Sequence, residues 1–195
     1  MPEKPSYLGL LNGIALAESQ AHAYLMAWIP VTPSPDVRAV LTKVAAREGE
    51  HGMSFAKRVN ELGFELQVKD DPKQAERLAI AASDLPDVDK MRKLGLDPKG
   101  TSILDYFDNV YKDHSIDIRT GELLGRYIAE EHDTGRLLRD CYEQLEAAEK
   151  AGTGAPAATP VGDQLCALTE RVDVLCRAVE ELRQIVCAQA MAEAH

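Results

Sequence analysis

Glutamate is poorly suited to an apolar helical face, yet three long apolar stripes in this 195-residue chain each carry one near their middle. The first stripe is Leu8, Leu11, Ala15, Leu25 and Ile29, widened by Leu10, Ile14, Ala17, Ala21 and Trp28, and Glu18 falls inside it. The second is Val37, Val40, Leu41, Val44, Phe55, Val59 and Leu62, interrupted by Glu48 and His51. Those two residues are three apart, so they leave one face of a helix. The third is Leu124, Tyr127, Ile128, Leu138, Tyr142 and Leu145, with Glu131 at its centre. Steps of three, four and seven are the spacing of amphipathic helices. An ionised carboxylate buried alone costs several kcal/mol, so each needs a cation, hydrogen bonds or a raised pKa. A shared cation is the simplest single remedy for three of them. Carboxylate oxygen with imidazole nitrogen suits iron, manganese or zinc.

Capping residues and helix breakers divide the chain. Ser6 is placed to cap a first helix that runs to about residue 29, where Pro30 stops it. Ser34 followed by Pro35 reads as the cap and first position of a second helix, which ends at about residue 62 before Gly63. The short loop between them makes the two antiparallel neighbours. Residues 64–100 read as a long crossover with two short helices, from Asp71-Pro72 to about Ala82 and from Pro86 to about Gly95. The charged runs 69–71 and 84–93 read as solvated surface. A third bundle helix is expected from 101 or 102 to about 114, and a fourth from Ser115 or Asp117 to about Lys150. The expectation for residues 1–148 is therefore an all-α four-helix bundle with one long crossover.

Residues 149–162, centred on AGTGAPAATP, read as a flexible linker. Residues 163–195 carry a heptad, with Leu165, Val172, Val179 and Val186 at a and Leu168, Leu175 and Leu182 at d. β-Branched residues at a with Leu at d favour a parallel two-stranded coiled coil, so the C-terminal helix is expected to mediate homo-oligomerisation. Docking of that helix on its own bundle is the other possibility. Cys166, Cys176 and Cys187 lie along one side of it and, like Cys141, read as small hydrophobes. The absence of CxxC pairs, of a leader-like N-terminus and of an 18-residue apolar run points to a cytoplasmic chain outside membranes. A net charge of −10 disfavours nucleic acid and anionic membranes as partners and favours metal ions.

Residues 37–63 align without gaps on 120–146, with Leu41 on Leu124, Ala46 on Ala129, Glu48 on Glu131, Gly52 on Gly135 and Leu62 on Leu145. His51 meets Thr134. With Glu18, Glu48-Gly-Glu-His51 and Glu131 in place, the chain resembles the ferritin-like di-iron carboxylate proteins, rubrerythrins and bacterioferritins in particular. That family sets one Glu on each of two helices and a Glu-x-x-His on each of the other two. The resemblance implies a carboxylate-bridged centre of iron, as a pair or a single ion, with manganese or zinc as alternatives. It makes Glu48 and Glu131 the bridges and Glu18 and His51 terminal ligands. The third helix supplies no Glu. Asp105 repeats the spacing of Glu18 to Tyr24, and Asp108 sits better in its stripe, so either could cap a thinly supplied second position. His22, one turn beyond Glu18, reads as an outer or surface residue, and Tyr24, Tyr111 and Tyr127 as packing near the site.

The function implied by the resemblance is oxidation of Fe(II) by O₂ or peroxide. The missing CxxC pairs disfavour rubrerythrin proper. Two alternatives stay open: a metal-free scaffold that acts through the C-terminal helix, with the acids held by Arg47, Arg126 or the tyrosines, and a di-iron hydroxylase of an organic substrate.

Overall fold

The structure, a computed structural model, describes residues 4–68, 71–98 and 112–152, all within the unit Met1–Ala155. Five helices and no strand occur among the described residues: α1 Leu8–Trp28, α2 Pro35–Glu61, α3 Gln74–Ala82, α4 Asp87–Leu94 and α5 Ile118–Lys150. The described residues are all-α, in keeping with their apolar periodicity. No helix among these residues is long and apolar enough to cross a membrane. The expected third bundle helix falls on 101–111, outside the described residues, as do Asp105, Asp108, Tyr111, the linker beyond residue 152 and the C-terminal heptad. Lys112 to His114 form no α-helix and lead into the start of α5.

Helix ends follow local chemistry. Ser34 caps α2, its hydroxyl accepting from the Val37 amide at 3.3 Å, and Pro35 takes the first helical position. Gly63, at φ 85°, turns the chain where a side chain would be strained. Asp117 caps α5 by accepting from the Thr120 amide at 3.1 Å. Ser34 and Asp117 are equivalent positions of the internal repeat, so the two long helices begin alike. Ser6 does not cap α1; Tyr7 holds that position with no side-chain capping bond, and the Ser6 hydroxyl donates to Asp113 instead. In the α1 stripe, Ala17 is exposed rather than part of the buried face.

Two apolar clusters form the core. One joins Tyr7, Leu8, Leu11, Ile14 and Ala15 of the α1 start to Phe55 and Val59 of α2 and Leu124 and Tyr127 of α5. The other joins Leu25 and Trp28 to Val37, Leu41 and Val44 of α2, Met91 of α4, and Leu138 and Tyr142 of α5. The order in which each helix meets the clusters sets its direction: α1 and α5 run the same way, and α2 runs against both. Between the clusters lies a polar layer at mid-height.

The crossover is pinned to this core. α3 packs on α1, and α4 on α5. Asp87 accepts from the Trp28 indole at 2.7 Å and the Thr32 hydroxyl at 2.6 Å, while Lys90 donates to the Ala81 carbonyl and lies over the Trp28 ring. Asp87 and Lys90 are buried, so the run 84–93 is not all solvated surface. Buried charges of this kind persist because each is hydrogen-bonded.

At the other end, Asp117 gathers Tyr7, Arg58 and Thr120 and so ties α1, α2 and α5 together. Burial alone would raise its pKa, but the bonds from Thr120, Tyr7 and Arg58 hold it below the ordinary carboxylate range. A carboxylate held low in the folded state adds stability that is present above the unfolded pKa of about 3.9 and is lost as pH falls below it. Asp117→Ala is expected to cost about 2 kcal/mol in urea unfolding at pH 7, through loss of a cap and of charge-assisted bonds. Asp117→Asn, which keeps an acceptor, should cost less at pH 7 and flatten the acid limb of the stability profile between about pH 4 and pH 2.

Candidate metal centre

Glycines set the height at which the polar layer forms. A Cβ on Gly52 would stand 2.6 Å from the Ser19 hydroxyl and 3.1 Å from the Ser19 amide nitrogen. One on Gly49 would stand 2.9 Å from His22 Nδ1. Both glycines therefore face α1, and their bare backbone lets α1 and α2 approach closely beside Glu18, Glu48 and His51. His22 uses that approach to bond the Ala45 carbonyl at 2.7 Å, which makes it a strut between helices rather than a ligand.

α5 brings Glu131 to the same level. Glu18, Glu48, His51 and Glu131 are all buried, at 6%, 5%, 0% and 8% exposure. Each offers one ligand atom, and the four atoms lie within 4.8 Å of one another. His51 Nδ1 is 3.4 Å from Glu131 Oε1 and 4.0 Å from Glu18 Oε2. Four of the six ligands expected from sequence are thus brought together. Asp105 and Asp108 fall outside the described residues.

The remaining atoms of two of these residues are tied from outside. The Tyr127 hydroxyl donates to Glu18 Oε1 at 2.7 Å. Glu130 Oε2 lies 2.6 Å from His51 Nε2. An ionised carboxylate only accepts, so Nε2 is the donor, and in the neutral ring Nδ1 keeps its lone pair for the interior. What is left over is telling: among the described residues Glu18 Oε2, His51 Nδ1 and Glu131 Oε1 are buried without a hydrogen bond, although His51 Nδ1 and Glu131 Oε1 stand 3.4 Å apart and attract once the ring is protonated. Tyr127 also packs edge-on to His51 and Phe55, at 4.9 and 5.2 Å between ring centres, and so closes one side of the layer.

The electrostatics are those of crowded negative charge. Burial pushes the Glu48 pKa up to about 11, helped by the Glu18 carboxylate beside it and the charge on Glu131, with Arg47 pulling the other way. Burial would lower His51, but Glu131 and Glu130 against its ring and the charge on Glu18 move it above the ordinary 6.5. Burial and the charges on Glu18 and Glu131 raise Tyr127, so it stays a neutral donor. Among the described residues no arginine or lysine bonds Glu18, Glu48 or Glu131. The Arg47 guanidinium bonds the Glu130 carbonyl, the Thr134 hydroxyl and Asp133. Arg126 pairs with Glu50 near the surface at 2.9 Å. Neither arginine bonds Glu18, Glu48 or Glu131 through these contacts, and of the tyrosines Tyr127 holds Glu18.

Glu130 is the contact to the cluster that the sequence pattern misses. It sits one position, about 100°, off the apolar stripe and reads as an ordinary solvated acid. Only the fold, by placing α5 against His51, gives it a role. No protein-family model, curated protein or solved structure matches the chain, so the case for this centre rests on its side-chain geometry.

The glycine cradle has a measurable cost. Gly52→Ala should destabilise the protein by about 1–3 kcal/mol, because the α1 backbone must shift to admit the methyl. Its repeat partner Gly135 is exposed within α5 and has nothing within 4 Å of an added Cβ. Gly135→Ala should stabilise by about 0.5–1 kcal/mol. Urea melts of the two variants are expected to move in opposite directions.

Proposed function

We propose that the protein is a ferritin-like metal-binding protein that holds a divalent cation, iron foremost, among Glu18, Glu48, His51 and Glu131. The observation that carries this reading is the set of three buried ligand atoms without partners, on three helices, turned toward one another. A buried acceptor left unmet costs about 1–3 kcal/mol, and more when charged. One cation would meet all three. The donor set, three carboxylate oxygens and one imidazole nitrogen, suits iron, manganese or zinc.

The ferritin-like assignment is supported by the helix order. An antiparallel pair is followed by a long crossover and a helix that runs parallel to the first. The fourth member of the bundle is expected in 101–114. When bound, iron in such a set supplies oxidation of Fe(II) by O₂ or peroxide, and that is the reaction we assign. The chain's own part is preparation of the site. Tyr127 holds one Glu18 oxygen and leaves the other to bind, while Glu130 fixes the His51 ring. Glu48 gives up its proton when a cation arrives. The apolar clusters above and below keep bulk water away. Self-association through the heptad of 163–195 belongs to the same reading and rests on sequence pattern alone.

A cation that binds only the folded state at a hundred times its Kd adds about 2.7 kcal/mol of stability. Protein purified after growth with iron should therefore contain metal, and EDTA should lower its Tm by several degrees. In Glu131→Gln the metal content should fall sharply and the EDTA effect should vanish. Negligible metal and a Tm indifferent to EDTA would instead support the metal-free scaffold.

A further inference from the structure

The position where a paired centre would keep its second imidazole is filled by something else. α2 and α5 superpose in sequence at a constant offset, and their burial follows it. Val37 with Thr120, Leu41 with Leu124, Val44 with Tyr127, Glu48 with Glu131, His51 with Thr134, Phe55 with Leu138 and Val59 with Tyr142 are all buried. Thr134 is thus the true counterpart of His51. Its hydroxyl accepts from Arg47 Nη1 at 3.2 Å, and the same guanidinium reaches the Glu130 carbonyl at 3.3 Å and Asp133 at 2.6 Å. Arg47 is the chain neighbour of Glu48 and its side chain is 20% exposed. Asp133 has Arg136 and Lys43 as further partners, so it does not consume the guanidinium charge alone.

We infer that the centre takes a single divalent cation per chain, with Thr134, bonded to the Arg47 guanidinium, closing the position that a second imidazole would fill. The inference rests on the metal-binding reading above and limits it. Donor supply agrees, since the described residues offer a single imidazole, His51, to the cluster. A hydroxyl already accepting from a cation is a poor metal ligand. The site is therefore expected to favour chemistry in which each ion gives up one electron, rather than the two-electron steps open to a metal pair.

The test is an anaerobic titration of the full chain with Co(II), read by its visible d–d bands and by equilibrium dialysis. Wild type should saturate at about one ion per chain with a single break. Arg47→Gln should also stop at about one, because it removes charge without adding a donor. Arg47→Gln combined with Thr134→His should take up a second ion. Mn(II) EPR gives a separate readout: an uncoupled signal in wild type, and a spin-coupled one in the double variant. Two ions of comparable affinity in wild type would overturn the inference and leave the metal reading standing. No uptake at all would sink both. A folded double variant that still binds one ion would overturn the role given to Arg47 and Thr134. Should that variant fail to fold, the wild-type count still decides the question.

Discussion

Negative charge confined between two apolar clusters is the constraint on which the architecture turns. Glu18, Glu48 and Glu131 enter from three helices at one level, with greasy layers above and below. Little water reaches them there, and no arginine or lysine among the described residues is bonded to them. The layer must therefore carry protons or a cation. In the protein as described, the burden falls on protons: Glu48 is held neutral well above any physiological pH, and His51 is pulled toward its charged form. A protonated acid in a core is a tolerable state. It is also one that a divalent ion can displace.

The surroundings of the layer are built to aim it. Tyr127 and Glu130 each take one atom of a cluster residue and leave the other facing inward. Gly49 and Gly52 hold α1 against α2 so that Glu18 and Glu48 meet at all. Far from the layer, Asp117 binds the helix starts at one end and Asp87 with Lys90 locks the crossover at the other. These outer contacts are satisfied; the inner ones are not. Among the described residues, three of the four buried side-chain atoms without a hydrogen bond lie in this one layer, the fourth being Gln74 Oε1 on α3.

Much of this was legible in the sequence because it depends on local rules. Helical period gave the stripes, and Glu18, Glu48, His51 and Glu131 stood out as polar residues inside them. Ser34-Pro35, Gly63, Gly95 and Asp117 mark helix ends by chemistry that acts over a few residues. The internal repeat, five identities long, proved to be a shared burial pattern. What stayed hidden depends on contacts between distant segments. Glu130 looks like any solvated acid until α5 lies on His51. Asp87 and Lys90 look like surface charge until Trp28 and Thr32 are folded against them. Ser6 has the right chemistry for a cap, but Asp113, more than a hundred residues on, takes its hydroxyl.

A positive ion among Glu18 Oε2, His51 Nδ1 and Glu131 Oε1 is the central claim. A crystal grown from iron-loaded protein, measured on both sides of the iron absorption edge, puts that claim to the most direct test. An anomalous peak within coordination distance of Glu18 Oε2, His51 Nδ1 and Glu131 Oε1 is the predicted result. A layer without anomalous density, its three atoms bonded instead to ordered water or to one another, would contradict it.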